Sequence, residues 1–199
     1  MQEEQLTVTT ETAAANDKTS FGFWVYLMTD CILFASLFAV YAVMHKATAG
    51  GPGSSELFKL GPVLAETLVL LTSSFTCGLA FLSARQNKKQ QALLWLGVTF
   101  VLGAIFLGLE LTEFHQLVAE GNSWRRNGFL SSFFTLVGTH GLHITAGLIW
   151  ILTMAGQIVR KGLSEPVMRR LTLFTMFWHF LDIIWIFIFS IVYMMGSLA

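Results

Sequence analysis

The sequence is short of charge. Charged residues make up 12% of its 199 residues, and acidic and basic side chains balance to a net charge of zero. Typical water-soluble domains carry about 25% charged residues, so an ordinary soluble domain is excluded. The basic residues are scattered along the chain rather than clustered, and the sequence therefore indicates no nucleic-acid partner.

Proline, cysteine and recognisable catalytic motifs are also scarce. None of the three prolines lies inside a long apolar run. The two cysteines, Cys31 and Cys77, show no CxxC spacing, which argues against a disulfide or a redox site. The sequence shows no nucleophile constellation, phosphate-binding loop or convincing metal-type spacing. We therefore expect no catalytic residue and no metal site in this chain.

Long apolar runs dominate what is present. A helix of about 20 apolar residues crosses a hydrocarbon core of ~30 Å. Five runs reach that length: 21–44, 63–84, 92–114, 129–157 and 171–195. The linkers between them are short, so we predict an all-α polytopic membrane protein with one five-helix transmembrane bundle over residues 21–199. Residues 1–20 are predicted to form a polar N-terminal tail.

The distribution of lysine and arginine predicts the orientation, because cytoplasmic loops carry an excess of them. The N-terminal side carries Lys18, Arg85, Lys88, Lys89, Arg160, Lys161, Arg169 and Arg170. The opposite side carries Lys46, Lys59, Arg125 and Arg126. We therefore expect a cytoplasmic N-terminus and a C-terminus outside, and call the second side the outer side.

Acidic residues inside the predicted spans are candidates for function. Asp30 is about ten residues into the first span, hence ~14 Å deep, where an ionised Asp costs about 3 kcal/mol. A hydrogen bond between helices, proton handling and a place in a lipid cleft remain open as its role. Glu66, Glu110 and Glu113 lie near the outer ends of their spans, and Glu113 could meet water or the arginines of the following loop.

Histidine and tryptophan residues mark the last two spans. His179 and Asp182 are three apart on one helical face, and Trp178, Asp182 and Trp185 form a stripe suited to packing against another helix. We interpret this face as helix-packing contacts. His140 and His143 are also three apart, which leaves haem or metal binding open beside a packing role.

Small residues predict where helices approach closely. The fourth span contains Gly138, Gly141 and Gly147 near its two histidines. Small residues four apart, a spacing that also favours tight packing, occur as Ala35 with Ala39 and as Ala104 with Gly108.

Three segments together resemble subunit III of the haem-copper respiratory oxidases. They are FGFWVYLMTDCILFASLFAVYAV (21–43), GFLSSFFTLVGTHGLHITAGLIW (128–150) and FWHFLDIIWIFIFSIVYMMG (177–196). The likeness covers nearly the whole chain from residue 21 onward. The family's common form has seven helices, whereas this chain has five. That shortened form, with the FGFWxYLM opening, is similar to the subunit III of bacterial bo-type ubiquinol oxidases.

The resemblance implies an accessory subunit without a redox centre in a proton-pumping quinol oxidase of the bacterial inner membrane. Haems and copper would belong to subunit I, and subunit II, a small subunit IV, membrane phospholipid and ubiquinol would be further partners of the complex. Asp30 aligns with a membrane-buried carboxylate of the family, where a glutamate is usual. Seven further residues match characteristic positions of the family, where the resemblance implies a structural role: Glu113, His140, His143, Trp178, His179, Asp182 and Trp185.

Three other functions are compatible with the sequence. A cytochrome c oxidase subunit III is the nearest, because the electron donor is chosen by other chains. A stand-alone membrane cytochrome b would need haem held by this chain's own histidines. A small transporter is also conceivable, although such proteins often show repeated halves and broken helices.

Overall fold

The structure is a computed structural model that describes residues 2–48 and 60–198, with side chains for 18–48 and 61–196. The described residues form helices and no strand. The helices are α1 (Gln2–Met44), α2 (Leu60–Arg85), α3 (Lys89–Ala119), α4 (Gly128–Lys161) and α5 (Glu165–Ile188). A π-helical segment (Phe189–Met194) and a final turn, α6 (Met195–Leu198), continue α5.

Within the described residues, five helices are long and apolar enough to span a membrane, which confirms the predicted fold class. Helices α1 to α4 are longer than their apolar runs, and so is α5 together with its π-helical continuation (residues 165–194). Polar residues at the ends continue these helices. The largest difference is in α1, which begins at Gln2. Residues 2–20 contain neither glycine nor proline, so nothing in the backbone ends the helix there, and the helix includes this polar segment. Lys59, counted for the orientation, lies outside the described residues.

Helices α4 and α5 form the centre of the bundle. Helix α4 packs against α1, α3 and α5, while α5 packs against α1, α2 and α4. Helices α2 and α3 form an extensive antiparallel pair. The central position of α4 and α5 explains why the two histidine-containing segments lie inside the protein.

Helix α1 contributes one narrow stripe to the core. Leu27, Asp30, Phe34 and Tyr41 are buried and recur at the spacing of one helical face. From residue 21 onward, most of the other side chains of α1 are apolar and exposed, with Val43 at 77%. A surface of this kind is unsuited to water and is suited to lipid or to another membrane subunit.

The aromatic ring of Trp178 determines how closely α3, α4 and α5 can approach. A Cβ atom added at Gly147 would lie 2.6 Å from the ring, and one at Gly103 would lie 3.0 Å from it. Two glycines on neighbouring helices therefore create the space that the indole occupies. The close approach predicted at Gly147 is confirmed.

The other small residues differ in how closely neighbouring helices pack against them. A Cβ at Gly141 would lie 2.7 Å from Glu110 Oε1, which confirms the predicted close approach, whereas Gly138 makes an ordinary contact at 3.7 Å. The tight packing predicted at four further small residues is wrong, because all four are exposed: Ala35, Ala39, Ala104 and Gly108. A spacing of four identifies a strip of small side chains on one side of a helix. It does not show whether that side faces the bundle.

Substituting Gly147 tests the fit around Trp178. Alanine normally stabilises a helix by about 1 kcal/mol relative to glycine, but in Gly147→Ala the new methyl group would overlap the indole. We expect a net loss of about 1–3 kcal/mol, seen as a lower midpoint of thermal unfolding in mild detergent. Gly156→Ala, in the same helix with open space around it, should not lower the midpoint. Equal midpoints for the two variants would contradict this packing.

Candidate functional site

Asp30 and His143 face each other between α1 and α4. The distance from Asp30 Oδ2 to His143 Nε2 is 3.7 Å, within ion-pair range. His143 Nδ1 donates a hydrogen bond to the carbonyl of Thr139 at 2.8 Å, so this bond fixes which ring nitrogen is turned toward the carboxyl group. Tyr26, one turn before Asp30, interacts with the same carboxyl group. The acid of the first span therefore has its partner on the fourth.

His140 lies deeper and is surrounded by aromatic rings. Its side chain is fully buried, and neither ring nitrogen has a hydrogen-bond partner. The imidazole stacks on Trp185 with 5.3 Å between ring centroids and meets Phe106 edge-on at 5.9 Å. This environment favours ring packing over haem ligation, because a haem ligand needs a ring nitrogen that faces a space for the cofactor.

The polar pair of the last span bonds across the bundle to α2. His179 Nδ1 and Ser74 Oγ share a hydrogen bond of 2.7 Å. Asp182 interacts with both Ser74 and His179, while its Oδ1 has no hydrogen-bond partner. Ser74 thus links the two polar residues, which we call the Ser74–His179–Asp182 contact. It joins α2 to α5 near the middle of the bundle.

The tryptophans on either side of this contact anchor the same helix. Trp185 is fully buried, and its Nε1 donates a hydrogen bond to Thr67 Oγ1 of α2 at 3.1 Å. The ring of Trp178 fills the space beside Gly147, and its Nε1 has no hydrogen-bond partner. Trp185 thus adds a hydrogen bond to α2, and Trp178 fills space in the contact with α4.

Three glutamates and a tyrosine gather near the outer end of the bundle. Glu110 interacts electrostatically with Glu66 and Glu113, and the hydroxyl of Tyr193 donates a hydrogen bond to Glu113 Oε2 at 3.1 Å. We call these four residues the glutamate cluster. The sequence allows an arginine of the following loop as a partner of Glu113, whereas in the structure Arg126 donates a hydrogen bond to Asn122 Oδ1.

The structure therefore arranges the predicted site residues in separate groups. Asp30 joins His143, and Glu66 and Glu113 lie in the glutamate cluster. Of the last-span residues, His179, Asp182 and Trp185 join α2, whereas Trp178 packs against α4. His140 lies among aromatic rings. In the part of the chain with described side chains, no three His, Cys, Asp or Glu side chains are close enough to hold a metal ion. The geometry supports contacts between helices and interactions among acids.

Four important partners were missed or undervalued from the sequence. Thr67 and Ser74 belong to a hydroxyl-rich stretch of α2, a signal that could have been read as interhelical bonding. The sequence places Glu110 near the end of its span but does not distinguish it as a site residue. Tyr193 gave no sequence signal, because the π-helical segment that carries it shifts the helical register.

A double-mutant cycle on Ser74 and His179 tests whether their bond stabilises the bundle. Ser74→Ala, His179→Leu and the combined variant should show a coupling of about 0.6–1.7 kcal/mol, the range for hydrogen bonds between membrane helices. Unfolding in mixed detergent measures it. Ser36→Ala removes a hydroxyl that bonds only to its own helix, at Ile32 O, and should show no coupling with His179→Leu. Additive effects of Ser74 and His179 would contradict the contact.

Comparison with known proteins gives consistent matches. The sequence model of the family described as cytochrome c oxidase subunit III matches residues 1–197. Cytochrome bo(3) ubiquinol oxidase subunit 3 of Pseudomonas aeruginosa is 58% identical over 180 residues, which cover 90% of this chain and 86% of that protein. Cytochrome c oxidase subunit 3 of Bacillus sp. strain PS3 is 42% identical over 204 residues, which cover 99% of each.

A third relative is quinol oxidase subunit 3 of Bacillus subtilis, 42% identical over 175 residues that cover 88% of this chain and 86% of that protein. These relatives differ in the electron donor that their names state, yet all are third subunits of oxidases. The resemblance seen in the sequence is confirmed: the chain belongs to the cytochrome c oxidase subunit III family.

Proposed function

We propose that this chain is the accessory subunit III of a proton-pumping haem-copper quinol oxidase, which oxidises quinol and reduces oxygen to water. The observation that carries the proposal is the 58% identity to a ubiquinol oxidase subunit 3 over 90% of the chain. A second such protein, from Pseudomonas putida, is 54% identical over the same share. A cytochrome c oxidase is the alternative donor type, supported by the lower identity of 42% to the Bacillus sp. protein.

The chain itself would contain no catalytic centre in this proposal. Its intramembrane histidines are engaged in contacts within the bundle: His143 with Thr139 and Asp30, and His179 with Ser74. His140 is enclosed by aromatic rings. Haems and copper would be held by subunit I, and the bundle would stabilise that subunit and its proton-uptake environment.

Lipid and partner subunits would cover the apolar exterior. A groove with a volume of about 170 Å³ lies between α1 and α4. Leu37, Val40 and Met44 supply its apolar side, and Ser131, Ser132 and Thr135 lie along the other. Such a groove fits part of a phospholipid acyl chain. Asp30 lies between the same two helices, on α1 and facing His143 of α4. A role at a lipid cleft or in proton handling is therefore part of the proposal.

The proposed partners are oxidase subunits I and II and a small subunit IV, with ubiquinol as the substrate of the complex. The exposed apolar face of α1 is one surface available for them. The proposed location is the bacterial inner membrane, with the N-terminus in the cytoplasm and the C-terminus in the periplasm. The excess of basic residues on the N-terminal side supports this orientation.

Affinity purification through a tag on this chain tests the accessory role. The preparation in mild detergent should contain a larger haem protein, show a reduced-minus-oxidised haem spectrum and consume oxygen when given quinol. When partners are stripped away, the haem should leave with them. Haem that stays with the isolated chain would support a cytochrome b instead, and oxygen uptake driven only by cytochrome c would support the other donor.

Asp182→Leu tests the structural role of the last span. The change removes the acid from the Ser74–His179–Asp182 contact, so α5 should pack less firmly on α2. We expect less assembled oxidase in membranes and a lower thermal midpoint, with an unchanged haem spectrum in the complex that does assemble. Ile183→Leu, at the exposed neighbour, is the matched control. Normal assembly and stability of Asp182→Leu would contradict the role.

A further inference from the structure

The glutamate cluster brings acids together without visible charge compensation. Glu66 is 3% exposed and Glu110 is 2% exposed, and one carboxyl oxygen of each, Oε2, has no hydrogen-bond partner. Among the residues whose side chains are described, no lysine or arginine forms an ion pair with either acid. The two deepest acids of the cluster therefore lie in the bundle with each other and Glu113 as their charged neighbours.

Three ionised carboxylates in such a place would be strongly unfavourable. Removing one carboxylate from water costs several kcal/mol even after the protein relaxes, and neighbouring like charges add repulsion. Either a bound cation or protons must reduce the charge. The described side chains do not bring three ligand-type residues close enough to hold a metal ion, so protons are the compensation that the geometry favours.

The space for the Glu110 carboxyl group is built into α4. Glu110 Oε1 would lie 2.7 Å from a Cβ added at Gly141, so the missing side chain of this glycine leaves room for the carboxyl group against the α4 backbone. His140, which immediately precedes Gly141 in α4, is fully buried. The groups facing Glu110 are thus Glu66 from α2, Glu113 from α3, Tyr193 from the π-helical segment and the α4 backbone beside His140.

Glu113 connects the deep acids with the surface. Unlike Glu66 and Glu110, it is only partly buried, and it accepts the hydrogen bond from the fully buried Tyr193 hydroxyl. A carboxyl group and a hydroxyl group can each give and accept a proton, so Glu113 and Tyr193 have the chemistry to pass protons between the deep acids and the surface. Its open end lies on the predicted outer side.

We propose that Glu66 and Glu110 are both protonated at neutral pH and that the glutamate cluster is a proton-storing site that exchanges with the outer surface through Glu113. No bond other than O–H is made or broken: a proton moves between a carboxyl oxygen and water at the surface. The inference concerns groups of this chain and does not depend on the electron donor or the partners proposed above.

Infrared spectroscopy of the full chain in mild detergent, with any partners that stay bound, tests the storage. At neutral pH the wild type should show a C=O stretching band of protonated carboxyl groups. Glu66→Gln and Glu110→Gln should each remove part of that band. Glu120→Gln, which changes an exposed glutamate in the loop after α3, should leave the band unchanged. If the two cluster variants remove only carboxylate intensity, the acids are ionised and the proposal fails.

Two further measurements keep the test decisive. If a glutamine variant does not fold, Glu66→Asp and Glu110→Asp should shift the frequency of the protonated band, and an unshifted band would overturn the assignment. In D2O the band of the wild type should shift as the acids exchange their protons. That exchange should be slower in Glu113→Leu, and an unchanged rate would overturn the route through Glu113.

Discussion

The absence of water from the hydrocarbon core is the constraint on which this structure depends. A polar side chain there can find a partner only in another helix or in its own helix, since solvent offers none. Asp30 finds His143, His179 finds Ser74, and the indole of Trp185 finds Thr67. These contacts join α1 to α4 and α2 to α5, so the few polar groups specify which helices are neighbours.

Close packing at glycine residues adds to the specificity of the polar contacts. Apolar attraction does not distinguish helix from lipid, so close packing must supply the remaining specificity. Trp178 enters a space that two glycines leave open, and the carboxyl group of Glu110 enters another beside Gly141. Both contacts involve α4, which explains why this helix needs small residues beside its histidines. A larger residue at Gly147 would overlap the rigid indole of Trp178, and one at Gly141 would displace the end of the Glu110 side chain.

Much of the fold could be predicted because the length of an apolar run is a local property. The five spans and the burial of Asp30 and Trp178 followed from it. The partners could not be predicted, since Ser74 and His179 are brought together only by tertiary packing. The exposed Ala35 shows the related limit that spacing does not reveal which face packs. Helix α1 begins at Gln2 and not at residue 21, where the apolar run begins, because polarity alone does not end a helix.

In the proposed function, the buried histidines are parts of a supporting bundle, and the redox centres of the oxidase belong to another subunit. A density map of the complete complex purified through this chain, obtained by electron cryomicroscopy, tests that claim most directly. It should show His143 facing Asp30, His179 bonded to Ser74 and no haem within the five helices. Haem density inside the bundle, with His140 or His143 turned toward iron, would contradict it.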